Sequence, residues 1–359
     1  MENPVTLRRW YLILSLLTVL SVYPGAAMPA APTVADIANY RQTDRQKILE
    51  EGARKEGQLL WYTSLIIKDR ARPQVEAFRK RYPFINVDIV RLDSAEMITR
   101  VAEEYNAGRH DADFFEASIP AMVNMRQGKI LQPFWSAQFE GIPKEYIAPD
   151  RTFVADRINP LGLAYNTSRV PKDQAPRTFD DLLNPKWKGQ ISTQDTSQAI
   201  QYMGALLLNK GQEYLKRLAQ QELTVYSMSS RAVVNLVVSG EAVMTLPASV
   251  GHVMLDKQKN APVEWAALEP VPTAQGYVAL ASKAPHPHAA MLFIDFLLSD
   301  EGQQIYVKTE EGAVRKGIQN VFGNFKRFTP DFAVPLEKYN DTYQQWELLH
   351  RQLFIKRAK

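Results

Sequence analysis

Small hydroxyl side chains recur where a strand-like stretch gives way to a helical one: Thr63 with Ser64, Ser118, and Thr196 with Ser197 just behind Asp195. At the carboxyl end of a parallel strand such residues border the crevice where ligands bind, and the unpaired N–H groups of the next helix favour negative charge there. Several clusters facing one crevice would cradle a carboxylate, phosphate or phosphonate. Each cluster also reads as an ordinary helix cap, because Ser, Thr and Asp are preferred at that position whatever the function, and the two roles are compatible. Recurrence gives the pattern its weight. Arg231, behind Ser229 and Ser230 at another helix start, could reach an anion as well. Asp195 would repel a pure anion unless it caps its helix or the solute also carries an amine.

Other chemistries find less support. No G-x-S-x-G, H-E-x-x-H, P-loop or G-x-G-x-x-G pattern occurs after the leader, so no catalytic residue and no cofactor are assigned. The absence of cysteine excludes zinc knuckles, iron–sulfur ligation, thiol catalysis and disulfides. His286 and His288 flank Pro287 in the manner of a metal pair, but no nearby carboxylate is expected to complete a site, and a proline at a helix start explains the pattern. His252 reads as a surface histidine or as a residue facing the crevice. Abundant carboxylates leave a glycosidase pair, and with it a secreted hydrolase, as the enzyme alternative. With 43 basic and 39 acidic residues the net charge is +4, too even for a nucleic-acid partner.

These residues need elements to position them. The first stretch is an address: Arg8 and Arg9 precede the apolar run from Trp10 to Val22, followed by Pro24, Gly25, Ala26 and Ala27. That run spans roughly 20 Å as a helix, short of the roughly 30 Å hydrocarbon layer. Residues 1–27 therefore read as a signal peptide, with Ala30 or Ala31 as other cleavage points. The arginine pair suits twin-arginine export as well as an ordinary basic n-region. No cysteine is present to carry a lipid, so the mature chain is expected to be a free, monomeric protein of the periplasm.

Beyond the leader, Asp44–Lys55 predicts a helix with Ile48, Leu49 and Ala53 on one side. The continuously apolar start of Leu59–Ser64 suits a strand covered on both faces. Helices over Arg70–Arg81 and Ser94–Asn106 alternate with strands over Ile85–Arg91 and Asp113–Ala117, the rhythm of a doubly wound α/β domain. The theme returns with strands at Asn159–Asn166, Gln190–Thr193, Ala242–Leu246 and Gly276–Ala281. Helices are expected at Thr178–Leu183, Gln198–Leu208, Arg231–Val238, Pro287–Leu298 and Tyr339–Lys359. A chain of 359 residues exceeds the roughly 250 to 300 at which one core stops growing, so two domains are expected.

The segments EGARKEGQLLWYTS, GLAYNTSRV, FDDLLNPKWKGQIS, SSRAVVNLVVSGEAVM and APHPHAAMLFIDFLLSDEGQQIY resemble, in that order, the periplasmic solute-binding proteins of ABC importers, in the subgroup that includes ferric-iron binders. The resemblance implies a type II periplasmic-binding fold of class α/β: two lobes, each a mixed and largely parallel sheet flanked by helices, joined by two hinge strands. Residues 28–159 with 271–359 would form one lobe and residues 160–270 the other. A solute would be trapped between the lobes and passed to a membrane permease. The implied binding loops fall on Thr63 and Ser64, on Ser118, on Asp195 to Ser197, and on Ala248 to Val250 around Ser249. Tyr165, at the implied crossing, could stack on the ligand or merely pack. Ferric binders of this kind carry a tyrosine pair where this chain has Ser249 and Val250. Some use a histidine where it has Leu65, Ile66 and Ile67. Two phenolates match a hard cation, so their absence favours a phosphonate, phosphorylated sugar or carboxylate, with ferric iron as the alternative.

Overall fold

The computed structural model describes residues 32–355 except 310, 321, 323 and 324. The signal-peptide assignment lies outside the described residues.

Two helices lead, α1 (Val34–Asn39) and α2 (Arg45–Glu56). Strand and helix then alternate: β1 (Gln58–Thr63), α3 (Arg72–Arg81), β2 (Asn86–Arg91), α4 (Ser94–Asn106), β3 (Phe114–Ala117), α5 (Ile119–Gln127) and the short β4 (Leu131–Gln132). The long strand β5 (Val154–Asn166) leads into β6 (Ile191–Gln194), α6 (Ser197–Lys210), α7 (Gln212–Ala219), β7 (Thr224–Tyr226), α8 (Ser230–Ser239), β8 (Met244–Ser249), α9 (Val250–Lys257) and β9 (Val263–Ala266). A second long strand, β10 (Val271–Ala281), returns to α10 (Pro287–Leu298), α11 (Asp300–Lys308), β11 (Gly312–Ala313), β12 (Arg327–Phe328) and α12 (Tyr339–His350).

Strand order is β2–β1–β3–β10–β5–β8–β6–β7. At one end β1 runs parallel to β2 and β3, and at the other β6 runs parallel to β7 and β8. Between them β5 and β10 pair antiparallel. Ile158 of β5 packs in one apolar core with Trp61, Phe78, Phe114 and Phe293, whereas Leu161 packs in another with Trp187, Tyr202 and Leu246. The strand thus passes from core to core within three residues. Each core is covered by helices on its sheet, the arrangement of a parallel sheet buried on both faces.

Several elements differ from the sequence reading. Ile48 is exposed while Leu49 and Ala53 are buried, because α2 turns a narrower stripe inward than the pattern suggests. Pro247 lies within β8 rather than after it, its missing N–H tolerated at a bulge where Leu246 and Pro247 together oppose Leu163 of β5. The helix at Thr178 is a single 3₁₀ turn, Asp180–Leu183. The tail does not belong wholly to one lobe: Tyr339 and Trp346 pack in the first core and Phe354 in the second.

Candidate functional site

Four helices begin at one cleft. Asp93 caps α4 by accepting from the amides of Ala95 and Glu96, both at 2.9 Å. Ser118 stands at the start of α5 and makes no cap bond; its hydroxyl donates to Ser94 Oγ at 2.8 Å. Thr196 caps α6 through the Ala199 amide at 3.3 Å, and Ser229 caps α8 through the Ala232 amide at 3.3 Å. Each helix start brings partial positive charge to the same space. Ser64 completes the first wall and Asp195, Ser197, Gln198 and Gln201 the second. Arg157 and Asn159 of β5, with Ala274 and Gln275 of β10, form the floor of a cavity of about 640 Å³. Among the described residues lining it there is no aromatic ring and no histidine.

The floor is organised around Glu116, which is fully buried at the end of β3. It accepts from Thr63 Oγ1 at 2.7 Å, from the Ser64 amide at 2.9 Å, from Ser64 Oγ at 3.0 Å and from Arg157 Nη2 at 2.7 Å. A carboxylate this well supplied with donors is tolerated in a dry interior. The Arg157 guanidinium stays charged, since burial works against it but Glu116 and Asp156 more than offset that. At the far wall Ser249 donates to Asn159 Oδ1 at 2.6 Å, fixing the amide that faces the cleft. Gln275 donates to Thr273 Oγ1 at 2.8 Å, leaving its Oε1 buried with no partner.

Of the residues expected from sequence, Ser64, Ser118, Asp195, Thr196 and Ser197 line the cavity together. Thr63 and Ser249 stand one layer behind it, bonded to Glu116 and Asn159. Tyr165 and Arg231 leave the cleft altogether. Tyr165 is 3% exposed and packs in the second core, because it lies six residues past Asn159 along β5, beyond the cleft lining. Arg231 turns to α9, where it meets Asp256 Oδ1 at 2.7 Å and the His252 carbonyl at 2.9 Å. His252 is neither a surface group nor a cleft group: burial, with Arg70 and Arg231 close by, pushes its pKa down to about 3. Contrary to the sequence reading, His286 and His288 each have a carboxylate, Asp113 at 3.0 Å and Glu56 at 2.6 Å. These are separate pairs that tie α10 to β3 and α2, and no group of three or more metal-type side chains occurs among the described residues.

Sequence reasoning passed over Ser94, Asp93, Glu116, Arg157, Asn159 and Gln275. Arg157 had a signal, as the one cation in the stretch VADRINPLGLAYN. Asp93 had one as well, a capping carboxylate just before the helix Ser94–Asn106, and the rest carry no local pattern.

The chain belongs to the family of bacterial extracellular solute-binding proteins, which it matches over residues 113–320. Its fold is the type II periplasmic-binding fold. It is 24% identical over 272 residues to iron uptake protein A1 of Synechocystis, covering 68% of this chain and 74% of that one. Iron-bound HitA from Pseudomonas aeruginosa superposes with a TM-score of 0.69 at 20% identity, over 80% of this chain and 99% of its own. AfuA from Actinobacillus pleuropneumoniae, solved with fructose-6-phosphate bound, gives 0.69 at 21% identity, over 84% and 100%.

Proposed function

We propose that this protein is exported through its N-terminal leader and works in the periplasm as a receptor for a small organic anion, which it delivers to the membrane permease of an ABC importer. Residues 160–270 serve as the second lobe. The observation that carries the reading is the convergence of four helix starts and Arg157 on one cavity of about 640 Å³. That volume far exceeds a bare ion. The partnerless Gln275 Oε1 asks for a donor on the ligand, a hydroxyl or an amine, beside the anionic group. A phosphorylated sugar, a phosphonate or a hydroxylated carboxylate meets both demands. Closure follows because the closed form alone lets both walls touch the ligand, so ligand binding shifts the population towards it.

A second reading is ferric iron, favoured by what the names of the Synechocystis and Pseudomonas relatives say of them and by the two carboxylates, Asp93 and Asp195, at the cleft. Calorimetric titration with a panel of sugar phosphates, phosphonates, hydroxy acids and ferric citrate separates the two. Saturable binding of an anion in metal-free buffer supports the organic-anion reading. Binding of ferric citrate alone would replace it with the iron reading.

A further inference from the structure

The floor of the cleft holds a charge cluster that the helix starts do not explain. Arg157 lies opposite Gly276 and Ala155 opposite Tyr277, so Asp156 is the extra residue of a β-bulge in β5. The bulge breaks the strand's alternation and brings two consecutive side chains against Gly276. A Cβ at that position would meet Arg157 Cζ at 2.5 Å and Asp156 Oδ1 at 2.8 Å. Arg157 is thus flanked by two buried carboxylates, Glu116 and Asp156. Glu116 is well supplied with donors. Asp156 is not: the Tyr306 hydroxyl donates to its Oδ2, while its Oδ1 is buried without a partner.

Burial, reinforced by the charge of Glu116, pushes the Asp156 carboxyl up to about 7 against the pull of Arg157 and Tyr306. The groups facing it are Tyr306 from α11, Glu116 from β3 and Arg157 from its own strand; β10 presents Gly276, and β11 pairs alongside through Gly312 and Ala313. With both carboxylates ionised, one guanidinium is outnumbered by its own supports. An anion arriving at the open side of Arg157 would be its third negative neighbour.

We propose that Asp156 is a positioning residue which sets how much of the Arg157 charge reaches the cleft, so that capture of an anion takes up a proton at Asp156. This rests on the organic-anion reading of the site. A bound anion favours the neutral carboxyl, and by linkage the neutral carboxyl favours the anion. Affinity then falls as pH rises.

The test is calorimetric titration of the full-length mature protein with sulfate, an anion whose own charge does not change across the range from about pH 5.5 to about pH 9. Wild-type affinity is expected to fall as pH rises through about 7, towards a limit of about tenfold per unit for one proton. Asp156→Asn, a neutral group of the same shape, should flatten that profile and bind more tightly than wild type at about pH 8.5. Tyr306→Phe removes a bond that lowers the Asp156 pKa and should move the fall to higher pH. Wild-type affinity independent of pH would overturn the proposal and leave the anion reading standing, as would an Asp156→Asn variant weakened equally at every pH. No sulfate uptake by any of the three proteins at any pH would overturn this proposal, while the anion reading stands or falls on the panel of sugar phosphates, phosphonates and hydroxy acids, which also carry the donor that Gln275 lacks.

Discussion

Glu116 decides what the hydroxyls near it can do. Thr63 and Ser64 both donate to it, so Thr63 is spent on supporting a buried charge and does not face the cleft. Ser197, by contrast, is exposed at the start of α6 and lines the cavity. Ser197→Ala should therefore weaken anion capture by about 1 to 3 kcal/mol with little change in unfolding free energy. Thr63→Ala should show the reverse, costing about 1 to 3 kcal/mol of stability and much less affinity. Paired calorimetry and urea unfolding check both at once. Hydroxyls before helices were legible in the sequence because capping chemistry is local. Which of them point into the cleft was not, since that depends on a carboxylate about fifty residues away along the chain.

At the level of elements, apolar pattern and capping residues define α4 and α10 to the residue, Asp93 accepting two amides at the first and Pro287 opening the second. The pattern stops working at β5. Its first half carries Asp156 and Arg157, charged side chains that lie ahead of the expected strand Asn159–Asn166 and that only the charge cluster and the cleft account for. The tail was equally illegible as architecture. Asn340 donates to Gln127 at 2.9 Å on one side of α12, while Gln201 of α6 donates to the Tyr339 hydroxyl at 3.3 Å on the other. Trp346 packs over Gly204, where a Cβ would lie 2.3 Å from the indole. Gly204→Val should then lift α12 off α6 and destabilise the protein by about 1 to 3 kcal/mol, read as a lower urea midpoint. An unchanged midpoint would show that this seat does not hold the tail.

The whole molecule carries a pH dependence apart from its ligand. Asp331 is buried with the Tyr277 and Tyr339 hydroxyls donating to it at 3.2 and 3.3 Å, and burial pushes it up to about 7 despite those bonds. The folded state keeps that proton between the usual carboxylate range and about pH 7, where the unfolded chain has lost it. Stability from this group is therefore complete at acid pH and declines as pH rises towards 7, by about 1.4 kcal/mol for each pH unit in that window. Asp331→Asn should remove this group's share of the slope and leave that of Asp156, so the difference in unfolding free energy between variant and wild type grows in the variant's favour from about pH 5 to about pH 8. Denaturant titrations at the two pH values measure it. Unfolding that responds identically to pH in both proteins would exclude Asp331 as the cause.

Two lobes meeting over a polar cavity, with four helix starts and a guanidinium turned inward, make up a receptor whose cargo should still be found in it when the protein is taken gently from its own compartment. Native mass spectrometry of the protein purified without denaturation from its own cells weighs that cargo directly. The account predicts one bound organic acid per chain, bearing a phosphoryl, phosphonyl or carboxyl group with a hydroxyl or an amine, and lost on acidic denaturation. A chain that carries a single iron, or one that carries nothing and takes up none of these acids when they are added, would contradict it.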